Sequence, residues 1–255
     1  LKKRAKEGLK VLWDDLRGAY YIMLKDLSAY YLKPPNISWG ILFPVVIALA
    51  FGIQNPSNLY NLAPGLIAMS ILFSTTSMEA IVITFEKRIG ALERLFLAPI
   101  SLKAILLGKI LGGAVFGFIV TMAMLSGLLL FLEISIDPLP FLIAILLSSF
   151  TFSALGAFVS VCVREVFEAQ TLANLFRFPM IFLCGVFIPI SSLPLSLRFI
   201  GYFLPLTYSV DALRKCIFGI FDIADFNTSI FLLIIFSLIF FCSSLLTLGK
   251  RMEEA

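Results

Sequence analysis

The chain has 255 residues, 60% of them hydrophobic and only 14% charged, where a soluble domain carries roughly 25% charged residues. Its 20 Lys and Arg outnumber 16 Asp and Glu, giving a formal charge of +4, and it contains no histidine. That composition excludes a water-soluble enzyme working through an imidazole base. The scattered cysteines, Cys162, Cys184, Cys216 and Cys242, form no CxxC pair, so they read as inert thiols and give no zinc site. An all-α integral membrane protein is the fold class that remains, with no bound metal or cofactor and no nucleic-acid partner expected.

In chain order, Leu9, Leu12, Trp13, Leu16, Tyr20, Met23, Leu27 and Tyr31 recur every three or four residues, with Asp14, Asp15, Arg17, Lys25 and Asp26 on the other face. This spacing predicts an amphipathic helix within a cytoplasmic segment 1–36, lying in the headgroup layer with Leu12, Trp13, Leu16 and Tyr20 as interfacial residues. Pro34 and Pro35 are expected to end it and turn the chain into the bilayer. A plain membrane anchor and a lever gripped by a partner are both open readings of this helix.

A membrane domain follows over 37–249. A spanning helix needs about 20 apolar residues, and six stretches approach that length: Ile37–Gln54, Ala63–Thr84, Ala104–Leu132, Leu139–Val161, Thr171–Ile190 and Thr228–Gly249. Runs such as Ile230 to Phe241 do not alternate apolar and polar residues, which argues against barrel strands. Lys and Arg cluster before the first span, between the second and third, and in the tail 250–255. By the positive-inside rule, both ends of a multi-pass protein of the plasma membrane should face the cytoplasm.

The segment after the second span packs charge of both signs into Glu86, Lys87, Arg88, Glu93 and Arg94, with Gly90 permitting a bend. Leu92, Leu95 and Phe96 can form a short amphipathic turn, and Pro99 and Ser101 start the next helix. A short rigid knob of this kind, projecting into the cytoplasm, suits docking to another protein.

Within the spans, Glu79 and Arg177 are expected at similar depth. Intramembrane charges are costly and default to function, so a Glu79–Arg177 pair restraining an inner gate is one reading; separate snorkelling is the other. Gly108, Gly112, Gly113 and Gly117 in the third span allow close helix approach, within one subunit or across a dimer. Between the last two spans the stretch 188–227 is too apolar for a free loop. Pro189, Pro194 and Pro205 punctuate it into a re-entrant helical hairpin, with Asp211 able to pair with Arg214 or Lys215.

Two blocks of residues carry a family resemblance. The first is Glu86-Lys-Arg-Ile-Gly-Ala-Leu-Glu-Arg-Leu95 with Ala98-Pro-Ile-Ser101 and Gly108-Lys109. The second is Pro189-Ile-Ser-Ser-Leu-Pro194, Pro205-Leu-Thr-Tyr208 and Asp211-Ala-Leu-Arg214 through Gly219. In these blocks, and in length and span order, the chain resembles the membrane subunits of type-2 ABC exporters, which include small drug-export and polysaccharide-export permeases. Ala91 departs from the Thr common after that glycine.

The resemblance implies one type-2 ABC transmembrane domain that pairs with a second permease, identical or related, and binds two ATPase subunits. It implies that residues 9–32 and Glu86, Lys87, Arg88, Gly90, Leu92, Glu93, Arg94 and Leu95 contact those ATPases, and that Pro189, Pro194, Pro205, Tyr208, Asp211 and Arg214 belong to a cap over the outer end of the path. The chain itself lacks a phosphate-cradling loop: Gly108-Lys109 is followed by Ile110, and Lys103 stands where the first glycine belongs. ATP and magnesium are therefore expected on the partner subunits, and this subunit is not expected to be an enzyme. A mainly apolar interior suits an amphiphilic or lipophilic cargo: drug, lipid or lipid-linked glycan. A secondary transporter, or another polytopic protein not coupled to ATP, is the alternative, although no internal repeat or carboxylate relay supports it.

Overall fold

A computed structural model describes residues 2–33, 42–50 and 56–253. The described residues are helical and connected by short turns, without a strand. Helix α1 (Lys2–Asp26) runs into a π-helical turn (Leu27–Tyr31), and a helical segment α2 covers 42–50. Then come α3 (Pro56–Arg88), α4 (Ala91–Phe96), α5 (Leu102–Leu129), α6 (Pro138–Cys162), α7 (Val166–Leu183), α8 (Leu195–Tyr202), α9 (Pro205–Phe218) and α10 (Phe226–Glu253). The expected break at Pro34 and Pro35 and both ends of the expected span Ile37–Gln54 lie outside the described residues.

Four of these helices, α3, α5, α6 and α10, are long and apolar enough to cross a membrane. The most apolar window of α3 is 83% buried by the rest of the chain and that of α10 only 17%. Helix α3 is therefore the axis around which the others pack, and α10 is a peripheral helix whose apolar side chains face away from the chain. The main core joins Leu66, Ile67 and Leu72 of α3 to Ile145 and Phe152 of α6, Ala173 and Ile181 of α7, and Leu206 and Val210 of α9.

Small residues set the helix spacing. A Cβ on Gly108 of α5 would lie 2.6 Å from the Ala19 carbonyl oxygen of α1, and one on Gly117 would strike Thr75 of α3. At Gly113 the obstacles are Ser153 and Glu79. The glycine stripe of α5 is thus consumed within this chain.

Several boundaries differ from expectation, among them the starts of α3 at Pro56 and of α7 at Val166, and two of the shifted ends bear on the site. Helix α3 runs on to Arg88, so Glu86 is the last buried turn of a long helix. Helix α7 stops at Leu183, well before Ile190, because Cys184 caps it and Gly185 takes a left-handed φ of 81°.

Candidate functional site

Helices α1, α3, α4 and α5 meet at one end of the bundle. Helix α1 lies against Gly108 of α5 through Ala19 and Ile22, and its Gly18 packs on Ile100 in the turn before α5. Polar contacts fix its register. Ser101, the N-cap of α5, accepts from the Ala104 amide at 3.2 Å. Its hydroxyl donates to Asp15 Oδ2 at 2.7 Å, and its amide donates to Asp15 Oδ1 at 3.0 Å. Those two hydrogen bonds, the hydroxyl's first, hold the Asp15 carboxyl below its ordinary pKa.

About three turns after Asp15, Asp26 is fully buried and accepts from Lys109 Nζ at 3.1 Å. The same ammonium also donates to Glu86. Glu86 receives a second bond from Lys25 Nζ at 2.5 Å, and Lys25 also lies 2.9 Å from Asp26. Two cations thus alternate with two anions across α1, α3 and α5. Burial works against the Lys25 ammonium, but Glu86 and Asp26 overcome it and hold its pKa above the ordinary lysine value. Beyond this quartet, buried Tyr31 stacks on Phe116 with ring centroids 5.4 Å apart and donates its phenol hydrogen to Glu79.

Two expectations are corrected here, for the aspartates of α1 and for Glu86. Asp15 and Asp26, expected on the solvent face of the first helix, are the residues that dock it. Leu12, Trp13, Leu16 and Tyr20 point away from the chain, at 60%, 60%, 49% and 53% exposure, which leaves them free for lipid or a partner. Glu86, expected on an exposed knob, is buried between Lys25 and Lys109.

The remaining elbow residues form a compact projection. Gly90 takes a φ of 70°, a left-handed conformation that turns α3 into α4. Leu92 is buried against Ile83, Leu106 and Ile110, and Leu95 and Phe96 pack beside them. Glu93 and Arg94 stay exposed. Arg88 sits 3.8 Å from Glu165, and Lys87 donates to the Val163 carbonyl at 3.2 Å, so the elbow is also tied to the turn between α6 and α7.

The structure does not bring Glu79 and Arg177 together. Ser77, which accepts a hydrogen bond from Arg177, lies two residues from Glu79, a rotation of about 200° around an α-helix. Glu79 faces α1 and α5, while Arg177 meets the opposite side of α3. Equal depth along the bundle was legible; the face of the helix was not.

At the other end, Pro189 precedes a 3-10 turn (Ile190–Ser192), Pro194 precedes α8 and Pro205 opens α9. Asp211 accepts from the amides of Ile223 and Ala224 at 3.0 Å and of Asp222 at 3.3 Å. Arg214 lies 3.4 Å from Asp211 and donates to the Gly185 carbonyl at 3.0 Å, while Lys215 caps the C-terminus of α9 at the Gly219 carbonyl. Tyr208 donates to the Tyr202 carbonyl at 2.6 Å, joining α9 to α8. The predicted cap residues therefore form one connected structure, closed over the end of α7. Sequence reasoning missed Lys109 and Tyr31 as network members; a Lys inside an apolar run was the available signal for the first.

The chain is similar to known membrane proteins. The profile of the family described as ABC-2 type transporter matches residues 19–218, from the docking face of α1 to the end of α9. The inner membrane transport permease YadH of Escherichia coli K12 is 25% identical over 230 residues, spanning 88% of this chain and 90% of YadH. YadH of Shigella flexneri aligns with the same identity and coverage.

Proposed function

The chain belongs to the ABC-2 type transporter family as a membrane permease subunit, and from that premise we propose that it is half of an ATP-driven exporter for an amphiphilic cargo. Two copies, or one copy and a related subunit, form the path, and separate ATPase subunits supply the energy. Both chain ends and the elbow face the cytoplasm in this reading. Helices α2 and α7 complete six spans with α3, α5, α6 and α10, and the 190–218 hairpin caps the outer end.

The observation that carries the coupling role is the joint between α1 and the elbow. Residues 86–95 are fixed by α4 packing and by Gly90, and the same end of α3 is bound to α1 and α5 through Glu86 and Lys109. A push on Glu93, Arg94 or α1 is therefore delivered to α3 and α5 as rigid elements, because the buried ion quartet and the closely packed glycines leave little slack. Tandem purification of the full chain from its native membrane tests the reading. An ATPase should co-purify, its hydrolysis should change on reconstitution with the permease, and an E93A/R94A variant should lose both. An inert chain with no nucleotide-hydrolysing partner would remove the proposal.

A further inference from the structure

Arg177 is a buried cation among neutral groups. It is 1% exposed, and at about 1.5 Å per residue it lies about 16 Å along α7 from Val166, near the middle of a layer about 30 Å thick. Its Nε donates to the Ala173 carbonyl at 3.2 Å, Nη2 donates to Asn174 Oδ1 at 2.7 Å and Nη1 donates to Ser77 Oγ. The guanidinium also lies 4.8 Å from the centre of the Phe73 ring. Among the described residues, no carboxylate forms an ion pair with it. Three neutral acceptors and a ring face solvate the cation without cancelling its charge, and two of its five N–H groups are left over.

This contrasts with the other buried cation of the bundle, Lys109, which has two carboxylates. An uncompensated charge at this depth is costly, and residues of this kind mark pathways or ligand sites. The shell over Arg177 is thin on one side: Phe73, Ser77 and Asn174 are each only half-buried. Asn174 also lines an open groove of about 1010 Å³ that runs past Leu172, Leu175 and Phe178 and carries Arg164 and Glu168 at one end; Arg177 itself lies behind Asn174 and is not part of the lining. The trough is therefore apolar from Leu172 to Pro179, away from the charged end at Arg164 and Glu168, and within that stretch the Asn174 amide is hydrogen-bonded to the buried guanidinium.

We propose that this trough binds a single-chain amphiphile with a phosphate head group, entering sideways from the bilayer, with Arg177 as the counter-charge for the head and the trough holding the tail. A guanidinium suits this role because its planar N–H fork matches phosphate oxygens. The proposal builds on the permease reading by naming a head-group chemistry for its cargo. Its test uses the purified chain without an ATPase, so the two can fail separately.

The probe is radiolabelled dodecyl phosphate, retained by the full chain in phosphatidylcholine nanodiscs. Wild type should retain it saturably, and dodecyltrimethylammonium and inorganic phosphate should not displace it. R177Q should lower retention tenfold or more. N174D, which places a carboxylate where Arg177 already donates, should stay folded and lose retention to the same degree because the counter-charge is then internal. K103Q, which removes an exposed cation at the start of α5 outside the groove, should bind as wild type does. Undiminished retention by a folded N174D or R177Q, full displacement by inorganic phosphate, or an equal loss in K103Q would overturn the assignment.

Discussion

Asp26 of α1 and Lys109 of α5 meet at 3.1 Å although 83 residues separate them in sequence, and both are removed from solvent. This contact converts a surface-lying helix into a part of the bundle. Removing one partner of a buried ion pair typically costs about 3–5 kcal/mol, because the other charge stays buried. Lys109→Met should therefore lower the melting temperature of the purified chain strongly. The double variant D26N/K109M keeps the Lys25–Glu86 pair and should recover much of that loss, as differential scanning calorimetry in detergent would show.

Close approach of α1 to α5 depends on Gly108. Gly108→Val would press side-chain atoms into the Ala19 carbonyl, whose oxygen lies only 2.6 Å from the place a Cβ would take. Helix α1 should then lift from α5, and proteolysis within residues 11–26 should accelerate at least several-fold. Gly127, with nothing within 4 Å of its Cβ position, is the control. Gly127→Ala should leave proteolysis unchanged and stabilise α5 by up to about 1 kcal/mol through helix propensity.

The Asp15–Ser101 contact should give the docking of α1 an acid limit. The folded chain holds the Asp15 pKa below its ordinary value of 3.8. The folded state therefore favours the carboxylate, and this stabilisation is fully present above about pH 4. It is lost as the pH falls below that value and Asp15 takes up a proton. The protection of amides 15–22 relative to their intrinsic exchange rates, followed from pH 7 to pH 3, should fall at the acid end. Asp15→Asn should show the lower protection at every pH and flatten the profile.

These outcomes bear on what the sequence could reveal. The existence of the helices was legible, because runs of apolar residues have a length and a punctuation set by the bilayer and by Pro and Gly. Their faces were less so. In a membrane protein lipid is as apolar as Leu, so the Leu12, Trp13, Leu16 and Tyr20 stripe marked an interfacial face, while the opposite face, which docks on the protein, went unread. The docking face was written in Gly18, Ala19 and two aspartates, which look like a solvent face when only periodicity is counted. Glu79 and Arg177 failed to meet for a related reason: depth follows from sequence position, whereas facing depends on which neighbour each side of α3 receives. The cap was more readable, since three prolines mark the starts of its three helical pieces.

At the far end, Asp211 gathers three amides of the loop before α10. Replacing a buried acceptor leaves such donors unpaired at about 1–3 kcal/mol. Asp211→Ala should therefore loosen the 219–225 turn and lower stability by that order. Asp211→Asn, which keeps one carbonyl acceptor, should fall in between. Chemical denaturation in mixed micelles would rank the three proteins.

The most direct measurement of the coupling account places a single cysteine at Arg94, with Cys162 and Cys242 changed to serine, and treats sealed vesicles of each orientation with a membrane-impermeant maleimide. The account predicts labelling in inside-out vesicles alone, and protection of the site once the co-purifying ATPase is bound. Labelling confined to right-side-out vesicles would contradict it.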